Sequence, residues 1–497
     1  MAPDPGRARL RFAARGVLGI GLAVTVCGLA GHSLTGAVTG GLAALLALFT
    51  VTDATVRGQA VTTALLPAVG LPVLAAAAEL HDRPVARGLV LLAVVGAGVY
   101  ARRWGPRGHS LGVFAFMTFF VAQFLHTGPE QLPELSAAVV LSLLTASAVR
   151  FALWCYERRT TPVPAPVAPA GERGLARATT RQAVQATAAA GFALVVGQLV
   201  SGDRWYWAVG ATWWIFVNTT SRGETLVRGF RRVLGTVLGI GLGLAVAVPV
   251  AGAAAPTAVL VAVCVFGIFY SAAVSYTWMM LSVTLLAELL YGLLGVLDPA
   301  LLAVRFAETG VGALGALLAV LFVLPITTHA TTDAWIQRAL RCVHACTAEA
   351  TARLAGAPGD GAIPDPAPRV AELELLLGRV RLSVAPLVHP LNPVRARKRR
   401  AHRVLALLDD CAREIRGLAA VAADPEASHD IRLAAACRRV ETAVEALTEG
   451  RADTVTTPAD RPHVTEPALA HLHGLERALA ELASPLRGPS GSPLVGA

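Results

Sequence analysis

Lysine is almost absent from this sequence, and charged residues of either sign are scarce. Of its 497 residues, 15% are charged and 55% are hydrophobic, whereas about a quarter of the residues of a soluble protein are charged. The one lysine, Lys398, lies in the C-terminal part. The long apolar N-terminal part therefore cannot use a lysine amine, and its composition is typical of a membrane protein.

Signatures of enzymes are also missing. The sequence contains no G-x-x-x-x-G-K-[ST], H-E-x-x-H or G-x-S-x-G motif and no dinucleotide-binding fingerprint, which argues against an ATPase, a zinc peptidase and a serine hydrolase. Its seven cysteines are irregularly spaced and do not predict a disulfide framework. Cys342 and Cys346 would share a helix face from which His344 points away. We therefore predict a protein that is not an enzyme and has no cofactor and no metal site.

Apolar segments dominate residues 16–325. A transmembrane helix needs about 17–25 predominantly apolar residues. Twelve segments approach this length: 16–31, 34–51, 60–79, 86–101, 110–126, 135–154, 181–200, 205–220, 231–251, 256–272, 275–296 and 300–325. The pattern predicts an all-α polytopic membrane protein with about twelve transmembrane helices.

The distribution of arginines predicts the orientation of these helices. If the N-terminus is cytoplasmic, the cytoplasmic segments carry 18 arginines, and the loops on the opposite side carry only Arg83, Arg87 and Arg204. Positive residues collect on the cytoplasmic side of membrane proteins. We expect both termini to be cytoplasmic and the protein to lie in the inner membrane. The excess basic charge thus reflects orientation and not binding of nucleic acid.

The twelve segments form two sets of six that resemble a repeat. FTVTDATVRGQAVTTALL (49–66) lines up with FVNTTSRGETLVRGFRRVL (216–234), and each follows the second span of its set. Internal repeats are common in transporters. The predicted organisation is a cytoplasmic tail (1–15), a first half (16–160), a Pro/Ala-rich linker (161–176), a second half (177–325) and a cytoplasmic helical domain (326–497).

Residues after 325 are soluble in character. Five stretches show apolar residues at helical spacing between charged ones: 327–356, 369–387, 395–423, 429–450 and 466–484. They predict a bundle of about five helices, for which regulation, docking of a partner and formation of a homo-oligomer are all open roles. The basic run at 395–403 is interpreted as a solvated helix start, with binding of anionic lipid or nucleic acid as alternatives.

The stretch from Asp203 to Val248 carries the most distinctive motif. An aromatic-rich apolar helix is followed by a short basic loop and then by a second apolar helix that opens on glycines. The second helix contains an Arg-x-x-Gly-Thr core with a further glycine one turn on: Arg232, Gly235, Thr236 and Gly239. A later stretch, RFAETGVG, contributes Arg305, Glu308, Thr309 and Gly312.

These motifs resemble the fusaric acid resistance (FUSC), or aromatic acid exporter, superfamily over about 180–325. The first half resembles the family only partially. It has Arg57 but no Gly-Thr core, and its third span contains Pro67 and Pro72. The resemblance implies efflux of aromatic carboxylic acids or related organic anions, driven by the proton gradient. Plant anion channels are distant relatives within that superfamily.

Arginines beside a helix start suit the binding of an anion. Arg228 and Arg232 lie near a helix N-terminus, whose partial positive charge would also attract a carboxylate. Arg57 holds the corresponding place in the first half. The alternative is that these arginines only anchor the protein at the cytoplasmic side, while the glycines form packing faces. The motif favours a specific structural or ligand-binding role for Arg232.

Three ionisable residues fall inside the predicted spans: Glu288, Arg305 and Glu308. Such residues are costly in a membrane and are functional hypotheses by default. Arg305 and Glu308 are three residues apart, which allows them to pair on one helix face. A protonatable carboxylate beside a buried arginine would form a proton/anion coupling site. The alternatives are a self-satisfied ion pair and, for Glu288, a protonated hydrogen bond between helices.

Aromatic residues cluster in the span before the basic loop. Trp205 and Tyr206 fit the belt of aromatics at the membrane interface. Trp213 and Trp214 lie deeper and could stack on an aromatic substrate, although ordinary packing also explains them.

Together these features predict an inner-membrane exporter of small organic anions, with aromatic carboxylates as substrates and protons as the coupling ion. Alternating access between the two halves would move the substrate across the lipid bilayer. One alternative is a passive anion channel, in which the coupling acids are dispensable. The other is a membrane scaffold or envelope-assembly protein whose C-terminal region docks a partner.

Overall fold

The computed structural model describes residues 6–157, 174–217, 219, 221–250, 253–325, 328–354, 366–388, 395–423, 431–449, 451, 455 and 466–486. Within these ranges the chain is helical, with three short 3-10 helices and no β-strand. Most of the predicted linker at 161–176 and the start of the predicted tail at 1–15 lie outside the described residues.

Twelve of the described α-helices precede residue 326. They are α1 (Gly6–Leu29), α2 (Leu34–Thr50), α3 (Val56–Glu79), α4 (Pro84–Ala101), α5 (Gly105–Phe124), α6 (Leu132–Glu157), α7 (Ala178–Val200), α8 (Tyr206–Phe216), α9 (Arg222–Val246), α10 (Ala254–Ser271), α11 (Tyr276–Leu293) and α12 (Pro299–Phe322). Nine segments of the described chain are long and apolar enough to cross a membrane, and one of them, Pro84–Phe124, contains both α4 and α5.

Helix α8 is too short to be a full span. Its 11 residues rise about 16 Å, roughly half of the 30 Å hydrocarbon core of a bilayer. Helix α2, with 17 residues, is a shorter apolar helix and is not among the nine segments. The prediction of an all-α polytopic membrane protein is therefore confirmed, whereas the count of twelve full-length spans is not.

Two segments predicted as non-helical contain helix. Helix α1 begins at Gly6, inside the predicted tail, because residues 7–15 contain neither glycine nor proline. The predicted basic loop is the first part of α9, which begins at Arg222. Ser221 and Glu224 have the spacing of a capping box, and the Ser221 hydroxyl accepts a hydrogen bond from the Glu224 amide at 3.4 Å. This cap starts the helix nine residues earlier than the predicted apolar span at 231–251.

The first six and the last six of these helices make matching contacts. Helices α1, α2 and α6 pack on one another, and so do α7, α8 and α12. Helix α4 packs on α5, as α10 packs on α11. Between the two sets, α4 contacts α7 and α10 contacts α1. In both junctions, the fourth helix of one set contacts the first helix of the other set.

The chain divides into two compact units, of which the second comprises 163–167, 220–224 and 326–497. Its helices are α13 (Thr328–Leu354), α14 (Ala367–Val388), α15 (Arg395–Ala422), α16 (Ile431–Thr448) and α17 (Pro467–Leu486). They surround an apolar core of their own, made largely of leucine, alanine and valine. A cytoplasmic location for this unit remains a prediction.

Candidate anion site

A small cavity lies where α2 and α5 meet α8, α9 and α11. Its volume is about 80 Å³. Most of its wall is apolar and aromatic, and Arg232 is the charged residue among those that line it. The lining includes Leu42, Phe120, Trp207, Trp214, Arg232, Leu286 and Leu290. The site therefore combines one cation with ring surfaces, as the binding of an aromatic anion requires.

Arg232 lies ten residues into α9 and is only 4% exposed. Its Nη1 donates a hydrogen bond to the thioether sulfur of Met280 at 2.6 Å, and a thioether is a weak acceptor. Its Nε has no hydrogen-bond partner in the part of the chain that the structure describes. No described carboxylate forms an ion pair with Arg232. The buried carboxylate of Glu288 pairs with Arg305 instead. The guanidinium therefore carries a buried and uncompensated positive charge.

The glycines of the motif explain how the arginine reaches this depth. A Cβ atom at Gly235 would lie 2.7 Å from the Thr277 carbonyl oxygen, and one at Gly239 would lie 2.6 Å from the Thr284 Cβ atom. Both are closer than any real Cβ contact, so α9 packs against α11 at a distance that only glycine permits. Thr236 is buried on the same face. The motif thus fixes one helix on the other and holds Arg232 at the cavity.

Arg228 has a structural contact of its own. Its Nε donates to the carbonyl oxygen of Trp214 at 3.0 Å, and the hydroxyl of Tyr276 donates to the same oxygen at 3.1 Å. The guanidinium also lies 4.0 Å from the centroid of the Tyr276 ring. That carbonyl belongs to the last turn of α8, where helix carbonyls lack partners. Arg228 therefore caps α8 and does not line the cavity.

The two candidate tryptophans have different environments. Trp214 lines the cavity and is half-buried. Trp213 is 1% exposed and stacks on Phe116, with the ring centroids 4.4 Å apart. It is not among the residues that line the cavity. Trp214 is thus placed to contact a ligand, whereas the ring of Trp213 already has a packing partner.

The prediction that Trp205 and Tyr206 form an interfacial belt is wrong. Both side chains are buried, because α8 packs on α5, α7 and α12 and leaves little ring surface for lipid. The Tyr206 hydroxyl lies 3.2 Å from that of Tyr291. Trp207, which was not singled out from the sequence, donates from its Nε1 to the same Tyr291 hydroxyl at 2.8 Å and lines the cavity. Its spacing of seven residues from Trp214 places both rings on one face of α8.

Arg305 lies next to this cavity but pairs with an unexpected partner. Its Nη1 is 3.8 Å from Oε1 of Glu288 and donates to the Thr284 carbonyl oxygen at 3.2 Å. Its guanidinium also lies over Trp207, 4.1 Å from the ring centroid. Both side chains are buried. A Cβ atom at Gly243 would overlap the Glu288 carboxylate, so the α9 backbone closes this pair on one side.

Glu308 does not pair with Arg305, although the sequence spacing allowed it. Because Arg305 turns toward α11, Glu308 is left on the α7 side of α12, where its Oε2 lies 2.8 Å from the position of a Cβ atom at Gly197. It is 0% exposed, and neither of its oxygens accepts a hydrogen bond of standard geometry from the described residues. Thr309 is buried beside it, and a Cβ atom at Gly312 would overlap the Ala208 carbonyl of α8. The second motif thus packs α12 on α8 and buries a carboxyl that has no ion-pair partner among the described residues.

The first-half candidate lies apart from this site. Arg57 is exposed in the first turn of α3 and lines none of the described cavities. At the cytoplasmic end of α2 in the predicted orientation, Arg150 instead is buried and donates to the carbonyl oxygens of Ala47 and Val51 at 2.7 and 3.0 Å. No group of histidine, cysteine and acidic side chains among the described residues could hold a metal ion.

Comparison with known protein families identifies a related family. No curated protein is similar to the chain. The family model described as fusaric acid resistance protein-like matches residues 192–319, which include the cavity residues of α8, α9 and α11 and the whole of both motifs. The resemblance inferred from the two motifs is confirmed over this segment, which is similar to the fusaric acid resistance protein-like family.

Proposed function

We propose that the protein exports small organic anions, aromatic carboxylates in particular, across the inner membrane and couples this export to the entry of protons. The family match and the many apolar helices indicate a transporter-type membrane protein. The finer assignment is supported chiefly by Arg232, a buried cation in an aromatic cavity that forms no ion pair with any described carboxylate. A substrate carboxylate would neutralise this charge, and charge-assisted hydrogen bonds to arginine are among the stronger ones in proteins.

The size of the cavity supports a mechanism in which the helices move. An apolar cavity of about 150 Å³ holds a benzene ring, whereas this one has about 80 Å³. Binding of an aromatic acid therefore requires the walls to separate. They belong to both sets of six helices, so rocking of one set against the other would open the cavity. The matching helix contacts support the two-repeat architecture that this motion needs.

Two buried carboxyl groups are candidates for the coupling proton. Arg305 contacts both the Glu288 carboxyl group and the Trp207 ring, and Trp207 also lines the cavity. Protonation of Glu288 would remove the negative charge that pairs with Arg305, so the charge beside the proposed substrate site would depend on whether Glu288 carries a proton. Glu308 accepts no hydrogen bond of standard geometry from the described residues, so a proton on it would lower the cost of burying its carboxylate.

The two alternatives predict different behaviour. A passive anion channel needs the arginines but neither of the two acids. A scaffold or envelope-assembly protein would lose its function on deletion of 326–497 and would show no substrate-dependent phenotype. The buried ionisable groups of α11 and α12 favour the coupled exporter, because neither alternative gives these costly residues a role.

The deciding experiment is uptake of labelled 4-hydroxybenzoate into inside-out proteoliposomes under an imposed proton gradient. Arg232→Gln should lose accumulation, and Arg231→Gln is the matched control, because Arg231 is the adjacent residue on α9 and is exposed. Accumulation that is lost only in Arg232→Gln supports the exporter. Flux only down the anion's own gradient, with a current, would favour the channel. Equal uptake by both variants would remove Arg232 from the substrate path.

A further inference from the structure

A second and larger cavity lies beside the candidate anion site. Its volume is about 340 Å³, and its walls come from α1, α2, α10 and α11. The lining consists of valine, leucine, isoleucine, alanine and glycine, together with Thr25. The Thr25 hydroxyl already donates to the Gly21 carbonyl oxygen at 2.8 Å. The cavity therefore offers a ligand apolar surface and no free polar side chain.

The two cavities share a wall. Leu42, Leu286 and Leu290 line both of them. On one side of these three leucines lie Arg232 and the rings of Trp207 and Trp214, and on the other side lies the apolar space alone. Leucine side chains can change rotamer, so this wall can open without movement of the backbone.

We propose that the larger cavity holds the alkyl tail of an amphipathic anion whose carboxylate is bound at Arg232. This inference rests on the proposed function and narrows its substrate class to organic acids with an extended apolar tail. The small cavity alone is below the range of about 300–1,000 Å³ that is usual for ligand sites, and the larger cavity reaches that range. Continuity through a wall of three leucines, together with the separation of charge from apolar surface, matches an amphipathic molecule.

The glycine at position 21 provides the means of testing the occupant. Gly21 lines the larger cavity, and a Cβ atom there would meet no other atom within 4 Å. A phenylalanine side chain at this position would fill the cavity from α1. Gly28 is a matched control, because it lies on the same helix, is equally exposed, has the same open space and does not line the cavity. Ala262→Phe fills the cavity from α10 and is an independent second variant.

The experiment measures equilibrium binding of benzoate, 4-butylbenzoate and 4-heptylbenzoate to the full-length protein in nanodiscs. In the wild type and in Gly28→Phe, the affinity should rise roughly fourfold for each added methylene until the cavity is full, since burial of one methylene contributes about 0.8 kcal/mol. In Gly21→Phe and Ala262→Phe this gain should be lost, while the affinity for benzoate stays within about twofold of wild type. Partition of the ligand into the bilayer affects all the variants equally, so the difference in affinity from the control Gly28→Phe reports binding in the cavity alone.

Two other outcomes are informative. If the gain with chain length is the same in all four proteins, the tail does not enter this cavity, a bilayer lipid chain covers it, and the inference is overturned. If benzoate binding does not depend on Arg232, as tested with Arg232→Gln in the same nanodiscs, the proposed anion site itself fails. The first result leaves the proposed function intact, so the two failures are distinguishable.

Discussion

The guanidinium of Arg305 lies 4.1 Å from the ring centroid of Trp207, and the same tryptophan forms part of the wall of the cavity at Arg232. A change at the Arg305–Glu288 pair could therefore reach the proposed substrate site through one rigid aromatic side chain. A buried cation on an aromatic ring contributes up to about 2 kcal/mol. This contact physically links the proposed anion site at Arg232 with the proposed proton-coupling pair of Glu288 and Arg305.

The first prediction concerns the ion pair. Glu288→Gln should abolish proton-driven accumulation of the anion while exchange down its gradient continues, because Arg305 loses its titratable partner. It should also destabilise the protein by about 3–5 kcal/mol, the usual cost of leaving one member of a buried pair uncompensated. Transport into proteoliposomes and thermal unfolding in nanodiscs measure the two effects.

Two further variants separate coupling from stability. Glu130→Gln replaces an exposed acid and should change neither property. The double variant Glu288→Gln/Arg305→Gln should recover much of the lost stability, since no buried charge is left unpaired, but it should not recover coupling. Accumulation at the wild-type level in Glu288→Gln would exclude this residue as the proton site.

The second prediction uses two glycines of α9. Gly243→Ala places a methyl group where the Glu288 carboxylate lies, so the carboxylate or the helix has to move. Overpacking of this kind costs about 1–3 kcal/mol. Gly241→Ala, two residues earlier, meets no atom within 4 Å and should be neutral or stabilising by up to about 1 kcal/mol.

Thermal unfolding of both glycine variants in nanodiscs tests this difference. Equal melting temperatures for Gly243→Ala and Gly241→Ala would contradict the close approach of α9 to α11. Loss of proton-driven transport in Gly243→Ala alone would in addition support the role of Glu288.

The third prediction concerns the second unit. Burial raises the pKa of the Cys411 thiol to about 12, against about 8.5 for a free cysteine. As the pH rises, the Cys411 thiol ionises in the unfolded chain before it ionises in the folded protein. Its contribution to the free energy of unfolding is therefore constant below about pH 8.5 and decreases progressively toward pH 12. The free energy of unfolding of Cys411→Ala should therefore fall less steeply than that of the wild type over this range.

Alkylation checks the same property independently. Iodoacetamide at pH 8 should not modify Cys411 in the folded full-length protein and should modify it in urea, because the thiolate is the reactive form. Rapid modification without urea would contradict the burial of this thiol in the core of the second unit.

The sequence predicted some parts of the site better than others. The apolar segments identified a membrane protein, because each transmembrane helix is one continuous apolar stretch of the sequence. The motif around Arg232 could also be located, because glycines four residues apart mark a helix face. The cap at Ser221 and Glu224 was visible in principle, but the cluster of arginines after it suggested a loop. That cluster is helical because the cap, and not hydropathy, determines where α9 begins.

Contacts between helices could not be predicted from one sequence. Arg305 and Glu308 have ideal spacing for a pair within one helix, yet Arg305 turns toward Glu288 on α11 because the Thr284 carbonyl and the Trp207 ring are also there. The burial of Trp205 likewise follows from the packing of α8 between other helices, which periodicity does not record. The spacing of Trp207 and Trp214 was the one available signal for the aromatic wall.

The last prediction separates two adjacent tryptophans. Trp214→Ala should weaken substrate binding roughly tenfold, because a ring in the cavity wall is lost, and should leave the melting temperature nearly unchanged, since that ring is half-buried. Trp213→Ala should do the opposite. It removes a buried ring stacked on Phe116 and should cost about 3–5 kcal/mol of stability, while substrate affinity in the folded fraction stays close to wild type. Titration of 4-hydroxybenzoate and thermal unfolding of both variants in nanodiscs give the comparison. Loss of affinity in Trp213→Ala with normal stability would place the substrate on the other side of α8 and would move the site away from Arg232.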